Sequence, residues 1–394
     1  MIEVVGLTAR GWEELPERLR VLVLQADVLV GSPRLLDLVP PVESGQQRLS
    51  WPTPMRPGLT ELLDRLADRS VVALASGDPL VAGIGSTLIE LLGPQQVRVH
   101  PAVSSVALAR ARMGWSDESV EVVRLRNDSD PLRRWLSPGR RLIVLSADQN
   151  SPAAVARLLV EAGFGATRLT VLSNLGAETE TRVDTKADAW SGLAPALHLI
   201  ALECVGEGWS LTPGLPDPAY DHDGQLTKRD VRASALAHLE PRPGQMLWDV
   251  GAGAGSIGIE WLRSDPSARA VAIEHNPDRV KRIQANAAQL GVPQLSVRQG
   301  EAPDVFAELP APQAIFVGGG ATADLLARAW AALDVGGRLV VHAVTHETEL
   351  TLSDAWHSHG GELTRISVEH LEPIGRYHGW KPARPVVQWS VRKP

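Results

Sequence analysis

From Ile2 to Val205, short apolar runs rich in β-branched residues alternate with longer stretches of helical period. The runs IEVV, DVLVG, SVVALASGD, VRVHP, VEVVRL, RRLIVLS, RLTVLSN and LHLIALEC read as strands. Strands separated by helices are the pattern of α/β layers with a mostly parallel sheet, because a parallel pair needs a crossover between its strands. The period then lapses in EGWSLTPGLPDPAYDHDGQ, whose Pro and Gly content predicts a linker over residues 209–223 between domains at 1–208 and 224–394. Beyond it, Thr227 to Leu239 reads as a helix, and a second α/β series follows with QMLWDVG, ARAVAIE, LSVRQG, QAIFVGG and GRLVVHAV as strands. The last two apolar stretches, GELTRISVEHL and PVVQWSVRKP, have no helix between them and predict an antiparallel strand pair at the sheet edge.

The chain has 394 residues, which suits two domains with separate cores. No apolar run approaches the roughly 18 residues of a membrane span, and MIEVVGLTARGWEELPERLR lacks a basic start followed by an apolar stretch. A soluble, unexported, cytoplasmic protein is expected. Its 39 Lys and Arg against 46 Asp and Glu give a net charge of −7, so no broad cationic surface is expected for nucleic acid. The single cysteine, Cys204, excludes a disulfide within the chain and is expected to be a buried thiol. There is no Gly-x-Ser-x-Gly elbow, no Walker loop and no dithiol pair, so acyl hydrolysis, phosphoryl transfer and dithiol chemistry lack their groups.

The candidate chemistry concentrates where QMLWDVG runs into AGAGSIGIEWL, a glycine loop between a first strand and a helix. Open α/β sheets bind nucleotides at such a turn. Two motifs overlap there. Gly253, Gly255 and Gly258 satisfy a dinucleotide pattern and would suit a nicotinamide-dependent oxidoreductase, whereas Asp249, Gly251, Gly253 and Gly255 satisfy the acidic pattern of S-adenosylmethionine binders. A carboxylate at Asp249 would repel a pyrophosphate and favour an ammonium or sulfonium, which argues for the second. Glu274, 23 residues past Gly251, is placed to accept two ribose hydroxyls, a contact either ligand could use. Gly300-Glu301-Ala302 after the third strand offers an adenine ring a backbone amide and a side-chain acceptor.

His342 and His346 are four apart, but GGRLVVHAVTHE reads as a strand running into a loop, so no metal site is expected. His357 and His359 are expected in a solvated loop, and Trp248, Trp261, Trp330 and Trp389 in the core.

With QGEAPD, IFVGGG, GGRLVVHAVT and GRYHGWKPARPVVQ, the stretch LTKRDVRASALAHLEPRPGQMLWDVGAGAGSIGIEW resembles the C-terminal half of the precorrin-6Y C5,15-methyltransferase (decarboxylating) family, from about Gly224 onward. The resemblance implies a Rossmann-like class I methyltransferase with cofactor contacts at Thr227, Gly251, Ala252, Gly253, Ala254, Gly255, Glu274 and Ala302. His342 departs from the Asn expected there. The N-terminal half is similar to the tetrapyrrole methylase family through Ser76-Gly77-Asp78-Pro79, HPAVSSVALARARMGW and LSNLGAETE, although VVGLTARG replaces the usual Gly-Pro-Gly signature. That similarity implies a two-lobed α/β fold holding S-adenosylmethionine with Gly77, Asp78, Pro79, Ser104 and Ser105, and with Ser146 as a further candidate. Together the two halves imply one S-adenosylmethionine per domain, a porphyrinoid substrate, methylation at C5 by the first domain, and C15 methylation with decarboxylation by the second. Tyr377 and His378 are candidates for handling the proton of decarboxylation, and a homo-oligomer is expected.

Overall fold

Each apolar run of the N-terminal half becomes a strand, and the runs without polar alternation are those buried on both faces. In the computed structural model, which describes residues 1–42, 45–126 and 128–394, β1 (Ile2–Leu7), β2 (Val28–Gly31), β3 (Gln47–Ser50), β4 (Val71–Ser76) and β5 (Val97–His100) form a parallel sheet in the order β3-β2-β4-β1-β5. A second sheet holds β6 (Glu121–Arg124), β7 (Arg141–Leu145), β8 (Arg168–Ser173), β9 (Thr181–Lys186) and β10 (His198–Glu203) in the order β6-β7-β10-β8-β9. Only β6 and β7 pair in parallel there, and β10 runs antiparallel to both of its neighbours. The expectation of mostly parallel strands therefore holds for the first sheet and not for the second. Two strands of this half had no signal in the pattern. QRLS and TRVDTK, which form β3 and β9, are polar edge strands with little buried surface to impose alternation.

The chain separates into two compact units, Met1–Ser129 with Pro138–Glu207, and Asp130–Ser137 with Gly208–Pro394. The second unit therefore includes nine residues that the sequence reading assigned to the first domain, Asp130–Ser137 and Gly208. Arg134, which is buried, donates from Nε and Nη2 to the carbonyl of Arg263 at 3.1 and 2.8 Å.

The second unit is built on β11 (Met246–Val250), β12 (Arg269–Glu274), β13 (Ser296–Gln299), β14 (Ala314–Val317) and β15 (Arg338–Ala343), all parallel in the order β13-β12-β11-β14-β15. After β16 (Glu362–Ile366), β17 (Glu369–Ile374) and β18 (Tyr377–Pro382), β19 (Val386–Arg392) inserts antiparallel between β15 and β16. The stretch read as one strand, GELTRISVEHL, is thus two, and β17 pairs with β18 in a separate hairpin. His346 begins a helix, His346–His359, rather than a loop, and the ring of His359 lies 4.2 Å from that of Trp330.

Strand periodicity sorts β11 between the two faces. Met246, Trp248 and Val250 join Phe306, Ile315 and Trp389 on one side, while Leu247 joins Ile257, Trp261 and Phe316 on the other. The predicted linker packs into this second layer. Leu215, Ala219 and Tyr220 are buried in it, and Glu260 accepts hydrogen bonds from the Gly214 and Leu215 amides, from the Tyr220 hydroxyl and from the fully buried Arg232. Trp248, Trp261, Trp389 and Cys204 are buried as expected.

Candidate active site

In the second unit, β11 ends in a loop that reverses before the helix Ser256–Ser264, with Gly251, Gly253 and Gly255 at φ of 67, 60 and 78°. At Gly253 the demand is spatial as well, because a Cβ there would lie 2.7 Å from the carbonyl oxygen of Gln225. Glu274, at the end of β12, fastens this loop: its Oε2 accepts the Gly253 amide at 3.0 Å and its Oε1 the Asn276 amide at 3.0 Å. Asn276 in turn caps the helix Pro277–Gln289, its Oδ1 accepting the amides of Asp278 and Arg279.

These elements border a cavity of about 900 Å³. Thr227, Gly251, Ala252, Gly253 and Glu274 line it, so five of the predicted residues come together. Asp249 is not among them. Its odd register on β11 turns it under the helix, where it is 2% exposed and its Oδ2 accepts the Gly258 amide at 2.9 Å. Burial, opposed by that amide and reinforced by the charge of Glu274, raises its pKa to about 7. The Asp249 carboxylate thus lies beneath the helix rather than in the lining, whose acidic residues are Glu274, Asp217 and Asp230.

Ala254 and Gly255 lie behind the lining, with Ala254 buried and its carbonyl bonded by Asn286. Glu301 and Ala302 also lie outside it. The Gly300 amide donates to the Glu274 carbonyl at 3.1 Å, while Glu301 is exposed and Ala302 packs on the layer of Trp248. Tyr377 and His378 stand on the exposed hairpin, Tyr377 being 70% exposed, and neither borders the cavity. Reading GRYHGW without its pairing partner could not reveal this.

The cavity also has residues outside the predicted cofactor set, among them His342, which the sequence reading singled out without assigning it to the cofactor. His342 is 2% exposed, its ring meets that of Phe316 edge-on, and its Nε2 lies 3.0 Å from Oε1 of Gln388 on the antiparallel β19. Burial, with the neighbouring His238 as the smaller contribution in the same direction, lowers its pKa to about 4, so the imidazole is neutral at pH 7. Arg229 and Arg384 line the cavity as well, the latter from the connection between β18 and β19, whose strand partners are invisible in a linear pattern.

In the first unit the carboxyl ends of β1, β4 and β5 meet, backbone against backbone. The Gly77 amide donates to the Leu7 carbonyl at 2.7 Å, and the Gly77 carbonyl accepts the Ala102 amide at 3.3 Å. Gly77 has φ of 57°, and a Cβ on it would lie 2.9 Å from the Val103 carbonyl oxygen and 3.1 Å from Cα of Ser104. Gly77, Ser104 and Ser105 are therefore neighbours. Asp78 closes its own turn by accepting the Leu80 amide, Pro79 packs beneath Gly83 and Gly85, and Ser104 caps the helix Ser105–Met113 through the Ala107 amide. Ser146 stands on the other sheet, at the end of β7. Its Oγ is buried with no hydrogen-bond partner among the described residues, and the same holds for Nε2 of His198 at the start of β10, a residue the sequence reading passed over. Two orphaned polar atoms cost free energy that a bound ligand would recover.

Over its full length the chain is 42% identical to precorrin-6Y C(5,15)-methyltransferase (decarboxylating) from a Sinorhizobium species, covering 96% of that protein. The chain belongs to the precorrin-6Y C5,15-methyltransferase (decarboxylating) family. A second member, from Mycobacterium tuberculosis, is 45% identical over 100% of both chains. Within this family membership, residues 1–189 match the tetrapyrrole (corrin/porphyrin) methylases and residues 218–393 the precorrin methyltransferase domain. A shorter relative, cobalt-precorrin-6B C(15)-methyltransferase (decarboxylating) from Salmonella typhimurium, is 34% identical over 43% of this chain and 89% of its own. The precorrin-6Y methyltransferase family uses S-adenosylmethionine, and the nicotinamide reading of the glycine loop finds no support. Among the described residues, no helix is long and apolar enough to cross a membrane.

Proposed function

We propose that this chain methylates precorrin-6Y at C5 and C15 and removes the carboxyl group of its C12 acetate, in cobalamin biosynthesis. One S-adenosylmethionine serves each unit. The first unit carries the C5 methylation, and the second the C15 methylation and the decarboxylation. The observation that carries this reading is the presence of two glycine-turn sites in two separate units, in a chain that matches its relatives from end to end.

When bound, S-adenosylmethionine supplies a methyl group on a positively charged sulfur. In the second unit, Oε2 of Glu274 accepts one backbone amide and keeps a lone pair for a ribose hydroxyl, while Oε1 accepts another amide and lies 3.3 Å from Nδ1 of His275. The glycine loop lets backbone approach the ligand at Gly251 and Gly253, and Thr227 borders the same space. In the first unit, the loops of Gly77 and of Ser104 and Ser105 form the cofactor turn in this reading, and the unsatisfied hydroxyl of Ser146, at the end of β7, supports a further contact. An electron-rich ring carbon would need no deprotonation before accepting the methyl group and would release its own hydrogen as a proton afterwards, so the protein's work is alignment and exclusion of water. The exposed Leu371, Ile374, Tyr377 and Trp380 of the hairpin support self-association, and the enzyme is read as a cytoplasmic homo-oligomer.

Incubation with precorrin-6Y and S-adenosylmethionine should yield a product with two methyl groups gained and one carbon dioxide lost, read by mass spectrometry. Gly77→Leu should leave a singly methylated, decarboxylated product, and Gly253→Leu a singly methylated product that keeps its acetate. A Gly77→Leu chain unable to decarboxylate would refute the assignment.

A further inference from the structure

The cavity of the second unit has two ends of different chemistry. One end is the glycine loop with Glu274. The other is the antiparallel edge, where Ala343 pairs with Val387 and Ile366 with Val386, and where Val344, Ile366, Val368 and Val386 line the wall with hydrocarbon. Arg229 and Arg384 border the same cavity. Among the described residues, no carboxylate lies within ion-pair distance of either guanidinium, whereas Lys228 pairs with Asp217 at 3.4 Å and Arg279 with Asp223 at 2.9 Å. Both residues are exposed where they border the cavity, and guanidinium groups left unpaired there match carboxylates in charge and geometry.

A carboxylate that must leave as carbon dioxide has the opposite requirement. A guanidinium beside it would stabilise the ground state, in which the charge is localised, more than the transition state, in which it spreads into the macrocycle. Hydrocarbon around it does the reverse.

We infer that this end of the cavity sorts the carboxylates of the substrate: Arg229 and Arg384 hold side chains that are retained, and the wall of Val344, Ile366, Val368 and Val386 receives the acetate that is lost. The inference rests on the function proposed for this unit. In the step so arranged, the bond between the acetate methylene and its carboxyl carbon breaks, carbon dioxide leaves, and the electron pair enters the conjugated ring. The methylene then takes a proton from water and becomes a methyl group. His342, in the same lining, is neutral at pH 7 and adds no competing cation.

The test uses the full chain with precorrin-6Y and S-adenosylmethionine. Val344 is 44% exposed and Val368 half-buried, so Val344→Lys and Val368→Lys can fold, and unchanged S-adenosylmethionine affinity by calorimetry verifies that they have. Both variants should still add two methyl groups, while the share of product that loses carbon dioxide falls by roughly tenfold or more, the effect of one charge-assisted contact. Val344→Ile, which keeps the wall hydrocarbon, should restore the loss of carbon dioxide that Val344→Lys suppresses. Arg229→Gln and Arg384→Gln should each raise KM by roughly tenfold with the ratio of decarboxylated to methylated product unchanged. If the lysine variants decarboxylate every doubly methylated product, or if the glutamine variants change that ratio and leave KM alone, the sorting scheme is wrong. A wild-type chain that adds one methyl group and releases no carbon dioxide would instead overturn the proposed function, and the inference with it.

Discussion

Asp249→Asn replaces a buried carboxylate with an amide of the same shape that can still accept the Gly258 amide. In the folded protein the Asp249 pKa is about 7, against an ordinary 3.8, a difference of about 3 pK units or about 4 kcal/mol. Because the folded value is the higher one, the folded state binds the proton more tightly. The associated stability is therefore complete below about pH 4 and is lost as the pH climbs to about 7. Between pH 5 and pH 8, two of those units remain to be lost, so wild type should lose about 3 kcal/mol more than Asp249→Asn. Urea titrations at the two pH values, read by pulsed hydrogen exchange of the peptide containing Leu247–Val250, isolate the second unit from the first. Parallel pH dependence in the two proteins would refute the claim that Asp249 is a buried, reluctantly ionised acid.

Glu274→Ala should weaken S-adenosylmethionine binding by the second unit by about 1–3 kcal/mol in calorimetry and leave the first unit's affinity alone; equal loss at both would indicate unfolding. Glu260→Gln leaves the fully buried Arg232 without its closest counterion and should destabilise the second unit by about 3–5 kcal/mol in urea. His342→Asn should flatten the acid limb of stability. With a folded pKa of about 4 and an ordinary value of 6.5, wild type loses stability as pH falls through that interval, and the variant has no such proton to bind.

The strands legible in the sequence are those whose burial imposes a pattern, such as IEVV and RLIVL, and those missed, QRLS, TRVDTK and YHGWKP, are edges facing water. The glycine loop was legible because positive φ restricts residue choice, and Glu274 because a strand end fixes its place. The depth of Asp249 was not, since whether its side chain faces the cavity or the overlying helix depends on the packing of Ser256–Ser264. Arg229, Arg384 and His198 carry no motif. What marks them is the company they keep after strands far apart in the chain have paired. Tyr377 and His378 illustrate the reverse, a polar cluster whose strand register carries it into solvent.

The placement of β19 between β15 and β16 sets an order of assembly. During synthesis β16 emerges before the strand that joins it to the sheet, and the flank of β15 stays unsatisfied until residues 386–392 arrive. Val386 arrives with them. The parallel half of the sheet, with the glycine loop, can form while the ribosome is still working, but the hydrocarbon wall of the cavity cannot. A nascent chain of this protein should thus acquire the means to hold its methyl donor before it acquires the surface against which its acceptor rests.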